Sequence, residues 1–374
     1  MDAANHISPL KVLMTADTVG GVWTYSVELC RALADYHVHF HLVTMGAKMQ
    51  PWQAAEIGAL DNVTVYETDY KLEWMDNPWE EVDEAGAYLL SLQKAVQADL
   101  VHLNGYVHGA LKWDVPVISV AHSDVFSWFR AVAKTNPPAD WDTYFTKVQS
   151  GLQQADHIVA PSRAMMDELD AIYSLHENHS VIYNARGADR VFCGKKEKTV
   201  LCMGRIWDEA KNVKLLTDAA PLIRYPIKIA GETQFENNST EVQQSNICHL
   251  GKLGSEAIAK ALSTASVYAL PARYEPFGLS VLEAALSHCA LVLGDIPSLR
   301  EIWQDHAIYV QTDNPQQLAD TINALMQDEE NLNKMAEKAL QRAQQFTTGN
   351  MGRSYAELYQ QLVEQFEAAQ RNIL

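Results

Sequence analysis

Residues 267–293 read VYALPARYEPFGLSVLEAALSHCALVL. Val267 to Leu270 is a short apolar run that stops at Pro271. Leu279 to Cys289 carries apolar residues at helical spacing, and Ala290 to Leu293 is a second apolar run. Strand, helix, strand in that order describes parallel strands joined by a crossover helix. The pattern continues upstream. Thr199 to Met203, Ile227 to Ala230 and Ile247 to Leu250 read as strands, Val213 to Ile223 and Glu256 to Leu262 as helices. It also fills the first half of the chain. Val12 to Ala16 is apolar, and Val22, Tyr25, Leu29 and Leu33 recur at helical spacing. Val38, Phe40 and Leu42 alternate with His37, His39 and His41, as in a half-buried strand. Leu100 to Leu103, Val115 to Ala121, His157 to Ala160 and Val181 to Tyr183 are further strand candidates. From Pro315 onward the pattern is helical, with a break expected at Gly349 and Gly352.

The expected architecture is therefore two doubly wound α/β domains, residues 1–185 and 186–353. Ala185 to Lys198, poor in periodicity and containing two glycines, is the expected linker. Ligands of such sheets bind beyond the carboxyl ends of the strands, and a cleft between domains is the default site.

Composition narrows the function. The 374 residues carry a formal net charge of −18. Residues 1–185 hold 10 Lys/Arg against 24 Asp/Glu, and the remainder 19 against 23. A first half near −14 repels nucleic acid and anionic lipid surfaces, so neither is an expected partner and peripheral membrane contact is not expected. No run of 18 apolar residues occurs, and the first nine residues have no apolar core of a signal peptide. Cys30, Cys193, Cys202, Cys248 and Cys289 are odd in number and never spaced C-x-x-C, which fits a reducing cytoplasm. His37, His39 and His41 share one strand face, but no further ligand motif accompanies them, and no metal site is expected.

Four groups of residues carry chemistry. Gly20-Gly21 lies between the first strand and the first helix, where backbone amides can approach an anion. It is not a G-x-G-x-x-G fingerprint, and no G-x-x-x-x-G-K-[ST] occurs. Gly204-Arg205 closes a strand and Lys211 follows six residues later, two cations suited to a diphosphate. Glu275 lies in the loop after a strand, and Phe277-Gly278-Leu279-Ser280 opens a helix whose first amides are unpaired. Glu283 falls about one turn inside that helix, so two carboxylates flank its N-terminus. His122, Asn104 and Tyr106 follow strand candidates, and Trp128 is an aromatic on which a sugar could stack.

Glu275-Pro-Phe-Gly-Leu-Ser-Val-Leu-Glu283 resembles the E-x7-E motif of the retaining nucleotide-sugar glycosyltransferases of family 4, which have the GT-B fold. Gly20-Gly21 is similar to that family's first-loop glycine pair, Ala160-Pro161-Ser162-Arg163 to its A-x-S segment, and Gly204-Arg205 with Lys211 to its G-R-x5-K diphosphate grip. Ile296 to Glu301 resembles the segment after its last core strand. The resemblance runs from about residue 10 to 360. It implies two Rossmann-like domains facing a central cleft, with a C-terminal helix of about 354–374 crossing back to the first domain. Arg205 and Lys211 would neutralise the departing diphosphate, Glu283 would hold the ribose, and Glu275 and His122 the transferred sugar. The amides of Phe277 to Ser280, with Gly20 and Gly21, would hold phosphates and sugar hydroxyls. Asn104, Tyr106 and Trp128 would face the acceptor. The donor would be a UDP-, GDP- or ADP-sugar, with no cofactor and no metal required.

Tyr183-Asn-Ala-Arg-Gly-Ala-Asp189 departs from the family's compact N-G-V-D turn, and the C-terminal stretch lacks its usual tryptophan. Members acting on lipids usually carry a basic, apolar patch on the first domain, so the acidic first half favours a soluble acceptor. A nucleotide-sugar epimerase or a phosphorylase on the same scaffold, and a non-catalytic nucleotide-sugar-binding protein, are the alternatives. The sequence leaves the donor base, the acceptor and the oligomeric state open.

Overall fold

The computed structural model describes residues 9–187, 194–231 and 246–371. Among them, the first sheet comprises β1 (Leu10–Asp17), β2 (Val38–Met45), β3 (Val63–Glu67), β4 (Leu100–Leu103), β5 (Val117–Val120), β6 (His157–Ala160) and β7 (His179–Val181). Their order is β3-β2-β1-β4-β5-β6-β7, every pairing parallel. The second sheet comprises β8 (Glu197–Met203), β9 (Ile227–Ala230), β10 (Ile247–Gly251), β11 (Ala265–Leu270), β12 (Ala290–Gly294) and β13 (Ile308–Val310). Its order is β10-β9-β8-β11-β12-β13, again all parallel. Each order reverses direction beside its first strand, β1 or β8, which is the doubly wound pattern the alternation of strands and helices predicts.

The central strands are apolar on both faces because helices cover both. β11 and β12 are buried at every position. The second core gathers Val200, Leu201, Tyr268, Leu270, Leu282, Leu293 and Trp303, all fully buried. Charge also enters it. Lys196 donates to the carbonyls of Leu262 (3.1 Å), Ala265 (2.8 Å) and Ser287 (2.6 Å), where the helices Ser255–Thr264 and Leu279–Leu286 end. A cation there faces the negative ends of two helix dipoles and satisfies carbonyls that have no intrahelical partner. Lys196→Met is expected to cost about 2–3 kcal/mol, since it strips the ammonium from three acceptors, of which only those of Leu262 and Ala265 keep a weak thiol contact from Cys289. A urea midpoint equal to that of the unaltered protein would refute this.

The chain divides into two compact units. The first holds Met1–Ser127, Asn136–Asn184 and Thr348–Leu374, the second Trp128–Thr135 and Ala185–Thr347. The C-terminal helix thus belongs with the first sheet, packed on the helix Gly21–Leu33. It spans Thr348–Arg371 without interruption, so the break expected at Gly349 and Gly352 is not there. Gly352 is needed for closeness: a Cβ at that position would come within 3.0 Å of Ala32. Three further expectations shift. β7 lies at His179–Val181, two residues before the expected Val181 to Tyr183. The helix expected to run to Cys289 ends at Leu286. β3 and β13, both edge strands, had no strong apolar run to announce them. The expected linker passes through residues 188–193, and these, Cys193 included, lie outside the described residues, as do 1–8 and 372–374. No helix among the described residues is long and apolar enough to cross a membrane.

Candidate active site

In the second unit, β8 ends at Met203, and the amide of Gly204 donates to Ala230 at 3.0 Å. Two turns follow, closed by Asp208 N–H to the Arg205 carbonyl (3.1 Å) and Lys211 N–H to the Asp208 carbonyl (3.0 Å). These turns bring both cations beyond the carboxyl end of one strand. The Arg205 guanidinium donates to Asp208 Oδ2 at 2.9 Å and lies 5.2 Å from the centre of the Trp207 ring. Its side chain remains 41% exposed, oriented by a carboxylate and an aromatic face yet open to a ligand. The second Asp208 oxygen accepts the Ala210 amide at 3.0 Å and the Trp128 indole N–H at 3.5 Å.

The loop after β11 meets this one. Asn212 donates to the carbonyls of Pro271 (2.9 Å) and Thr312 (2.8 Å), and the amide of Arg273 donates to Ala210 at 2.8 Å. Lys211 Nζ then donates to Glu275 Oε2 at 2.5 Å, and Glu275 is only 8% exposed. Its carbonyl is held by the Ser298 hydroxyl at 2.6 Å, which gives the Ile296 to Glu301 segment a role in placing it. Gly278 has φ 90°, a left-handed conformation that favours glycine, and turns the chain into the helix Leu279–Leu286. The opening amides of that helix lie on the same loop as Glu275. Tyr268, fully buried, donates to Ser280 Oγ at 2.8 Å and lies 3.2 Å from the Met203 carbonyl, tying β8 to the helix start. Phe277 is a core residue, its ring centre 5.6 Å from that of Phe346. The Glu283 carboxylate lies 2.8 Å from Arg186 Nε, an ion pair.

The structure thus brings Arg205, Lys211, Glu275 and the amides of Leu279 and Ser280 onto two adjoining loops. No signal in the sequence paired Lys211 with Glu275, which are 64 residues apart, or Glu283 with Arg186.

In the first unit, Gly20 has φ 96° and precedes the helix Gly21–Leu33 at the end of β1. Asn104, just past β4, donates through Nδ2 to the Thr15 carbonyl at 2.6 Å, and its own amide donates to Thr15 Oγ1 at 2.9 Å. Its Oδ1 lies 2.8 Å from His122 Nε2 and 3.2 Å from His102 Nε2. Burial holds both imidazoles down to about 3. Tyr106 is buried, and its hydroxyl donates to the Ser123 carbonyl at 2.7 Å. Glu73 accepts the amides of Tyr106 (3.2 Å) and Val107 (3.1 Å), and burial pushes its carboxyl up to about 7. Neither Glu73 nor His102 was singled out from the sequence. Glu73 sits in an aperiodic stretch, and His102 reads as one polar residue within an apolar strand. His39 and His41 pair with Thr64 and Tyr66, while His37 precedes the strand rather than sharing its face. No group of three or more His, Cys, Asp or Glu among the described residues could hold a metal ion.

Two family models match the chain, Glycosyltransferase Family 4 over residues 19–190 and Glycosyl transferases group 1 over residues 189–342. Among curated relatives, the O-antigen chain mannosyltransferase RfbU of Salmonella typhimurium is 23% identical over 192 residues. That alignment covers 46% of this chain, and the chain spans about half of that relative's length, 53%. Among solved structures, sucrose-phosphate synthase from Thermosynechococcus elongatus superposes with a TM-score of 0.80 at 16% identity, covering 94% of this chain and 98% of that one. Anabaena Alr3699/HepE in complex with UDP-glucose gives 0.74 at 16% identity, covering 94% and 100%. These likenesses establish the fold, and the two family models together tile residues 19–342, from the first loop glycines into the helix Glu329–Ala343. The chain belongs to the family 4, group 1 glycosyltransferases and has their GT-B fold.

Proposed function

We propose that the protein is a retaining hexosyltransferase of carbohydrate biosynthesis. It would move a sugar from a nucleotide-diphosphate donor to a hydroxyl of a soluble acceptor. The observation that carries this reading is the meeting of two loops in the second unit, where Arg205, Lys211 and the helix N-terminus at Leu279 gather positive potential beside Glu275. As the bond from the sugar to the diphosphate breaks, negative charge grows on the leaving phosphate. Fixed cations and amide dipoles oppose that growth without reorganising. An ammonium has three donors, and Glu275 takes one, so two remain for phosphate oxygens. Arg205 presents a fork of donors already oriented by Asp208.

The remaining roles follow from position and from the family. Glu283, seated one turn into the helix, holds the ribose hydroxyls. Glu275 and His122 meet the transferred sugar, Gly20 and Gly21 approach the phosphates, and Trp128 serves the acceptor side, whereas the acceptor role expected of Asn104 and Tyr106 is opposed by their polar groups being taken by Thr15, Ser26, His122 and Ser123. The acidic first half supports an acceptor that is neither nucleic acid nor an anionic lipid surface, and the five cysteines, none spaced C-x-x-C, support a cytoplasmic setting. Anabaena Alr3699/HepE, crystallised with UDP-glucose, makes a UDP-sugar the first donor to try.

The test is a thermal-shift panel of UDP, GDP, ADP and their sugar conjugates. A ligand that binds only the folded form at one hundred times its dissociation constant adds about 2.7 kcal/mol of stability. One diphosphate should raise the melting temperature of the unaltered protein and fail to do so in Arg205→Ala. A panel with no response would move the reading to a non-catalytic protein. Glu283→Ala should raise the donor KM more than it lowers kcat, because ribose contacts exist in ground and transition states alike. Collapse of kcat at unchanged donor affinity would remove Glu283 from the ribose.

A further inference from the structure

Asn104 lies at the centre of a buried polar cluster that ties the C-terminal helix to His122. Its Nδ2 donates to the Thr15 carbonyl at 2.6 Å and to Ser26 Oγ at 3.3 Å. The Ser26 hydroxyl spends its own proton on the Val22 carbonyl at 2.9 Å, so Ser26 Oγ is free to accept. The Asn104 amide is therefore oriented, and its Oδ1 can only accept. Two imidazoles reach that oxygen, both through Nε2: His122 at 2.8 Å and His102 at 3.2 Å. An acceptor facing both rings requires the proton of each neutral ring to sit on Nε2.

The remaining ring atoms are then defined. His102 Nδ1 carries a lone pair and accepts the Tyr359 hydroxyl at 2.6 Å. The Tyr25 hydroxyl, 3.3 Å from His102 Nε2, passes its proton to the Tyr355 hydroxyl at 2.6 Å. Both Tyr355 and Tyr359 come from the C-terminal helix Thr348–Arg371 and are fully buried. His122 Nδ1 has no hydrogen-bond partner among the described residues. The residue as a whole is half-buried. The titratable groups facing the His122 ring are Tyr25, whose ring centre is 4.5 Å away, and His102.

We propose that Asn104, backed by His102 and Tyr359, is a positioning residue that fixes the tautomer of His122, so that Nδ1 is presented as a hydrogen-bond acceptor to a hydroxyl of the donor sugar. The inference rests on the reading that His122 meets the transferred sugar. It goes beyond that reading by naming the atom, the direction of the hydrogen bond and the residues that impose both. A donor whose hydroxyl at that point is removed or methylated would leave Nδ1 without its partner and bind more weakly. Burial, with the neighbouring His102 ring, keeps the imidazole neutral. His122 accordingly acts by orienting the sugar rather than by giving up a proton.

The experiment is long-range 15N NMR of the histidine-labelled full chain, assigned with His102→Gln and His122→Gln variants, alongside donor kinetics. In the unaltered protein both rings should be neutral with the proton on Nε2. Asn104→Leu should convert His122 to a mixture of tautomers and raise the donor KM about tenfold, the loss of one oriented hydrogen bond of about 1.4 kcal/mol, with a smaller change in kcat. Tyr359→Phe should move the His102 Nδ1 resonance and change the donor KM less. A His122 proton on Nδ1 in the unaltered protein would overturn the proposal, and this measurement needs no variant to fold. So would a tautomer unchanged in Asn104→Leu. His122→Ala separates the two layers of the argument. If it leaves the donor KM and kcat unchanged, the sugar-facing role fails even where the tautomer is as expected.

Discussion

Lys211→Ala is expected to lower turnover by about 100-fold or more and, separately, to destabilise the fold by about 3 kcal/mol. On the proposed function, the first effect is the loss of one fixed cation from the leaving diphosphate, a contribution of roughly 3 kcal/mol to the barrier. The second follows from the ion pair. Glu275 is 8% exposed and takes the Lys211 ammonium at 2.5 Å, so removing the lysine leaves a buried carboxylate without its counter-charge. The two effects are separable. The double variant Lys211→Met/Glu275→Gln removes both charges and should recover most of the stability, because no uncompensated ion remains. Its turnover should stay at the level of the single variant or below. Urea midpoints and steady-state kcat on the three proteins decide it. A double variant as unstable as Lys211→Ala would mean that Glu275 is not the residue that suffers. Unchanged turnover in the single variant would remove Lys211 from the phosphate.

Acidification should destabilise the first unit well before its surface carboxylates titrate. Burial lowers His102 and His122 to about 3 and His157 to about 4. In the unfolded chain each binds a proton near pH 6.5, whereas in the native state each stays neutral. Between these values the unfolded state binds more protons, so stability is complete above about pH 6.5 and falls as the pH drops below it. Each such histidine contributes a slope of up to about 1.4 kcal/mol per pH unit. Glu73 acts in the opposite sense. Its carboxyl, pushed up to about 7, holds a proton in the native state that the unfolded chain gives up above its ordinary range. Asp124, raised by burial beneath Tyr144 and Tyr173, opposes the histidines as well. Asp156 adds to this opposition, but burial also lowers His39, His41 and His108, so six histidines act against three carboxyls and the net loss between pH 6 and pH 5 is on the order of 1.4 kcal/mol per pH unit. The histidine contribution fades as the pH approaches their native values of about 4 and 3. Denaturant midpoints at pH 7, 6, 5 and 4.5 measure it. His157→Gln, at the half-buried site bonded to Ser180, should flatten the slope by about one proton. Equal midpoints at pH 7 and pH 5 would show that these rings are solvated in the native state.

Both predictions depend on pairings that sequence alone does not contain. The alternation of short apolar runs with 3.6-residue periodicity specified parallel strands and crossover helices twice over. It did so because a doubly covered strand must be apolar on both faces and a surface helix on one. The edge strands β3 and β13 escaped because partial burial dilutes that signal. The loops of the second unit were equally legible. A glycine at φ 90° before a helix, a cation just past a strand and a carboxylate one turn into a helix are local requirements, each written within ten residues. Gly352 went the other way. Locally it breaks a helix, and only the approach of Ala32 explains why a glycine continues one there.

What the sequence by itself determined is thus the family, the two α/β units and the identity of the residues on the loops after β8 and β11. What the tertiary structure alone decided is their partners: Glu275 for Lys211, Arg186 for Glu283, and Asn104 for both His102 and His122. The physical reason is range. Backbone conformation and apolar periodicity are set by neighbours along the chain. The protonation state and direction of a side chain are set by whatever burial brings against it, and Tyr359 meets His102 across 257 residues.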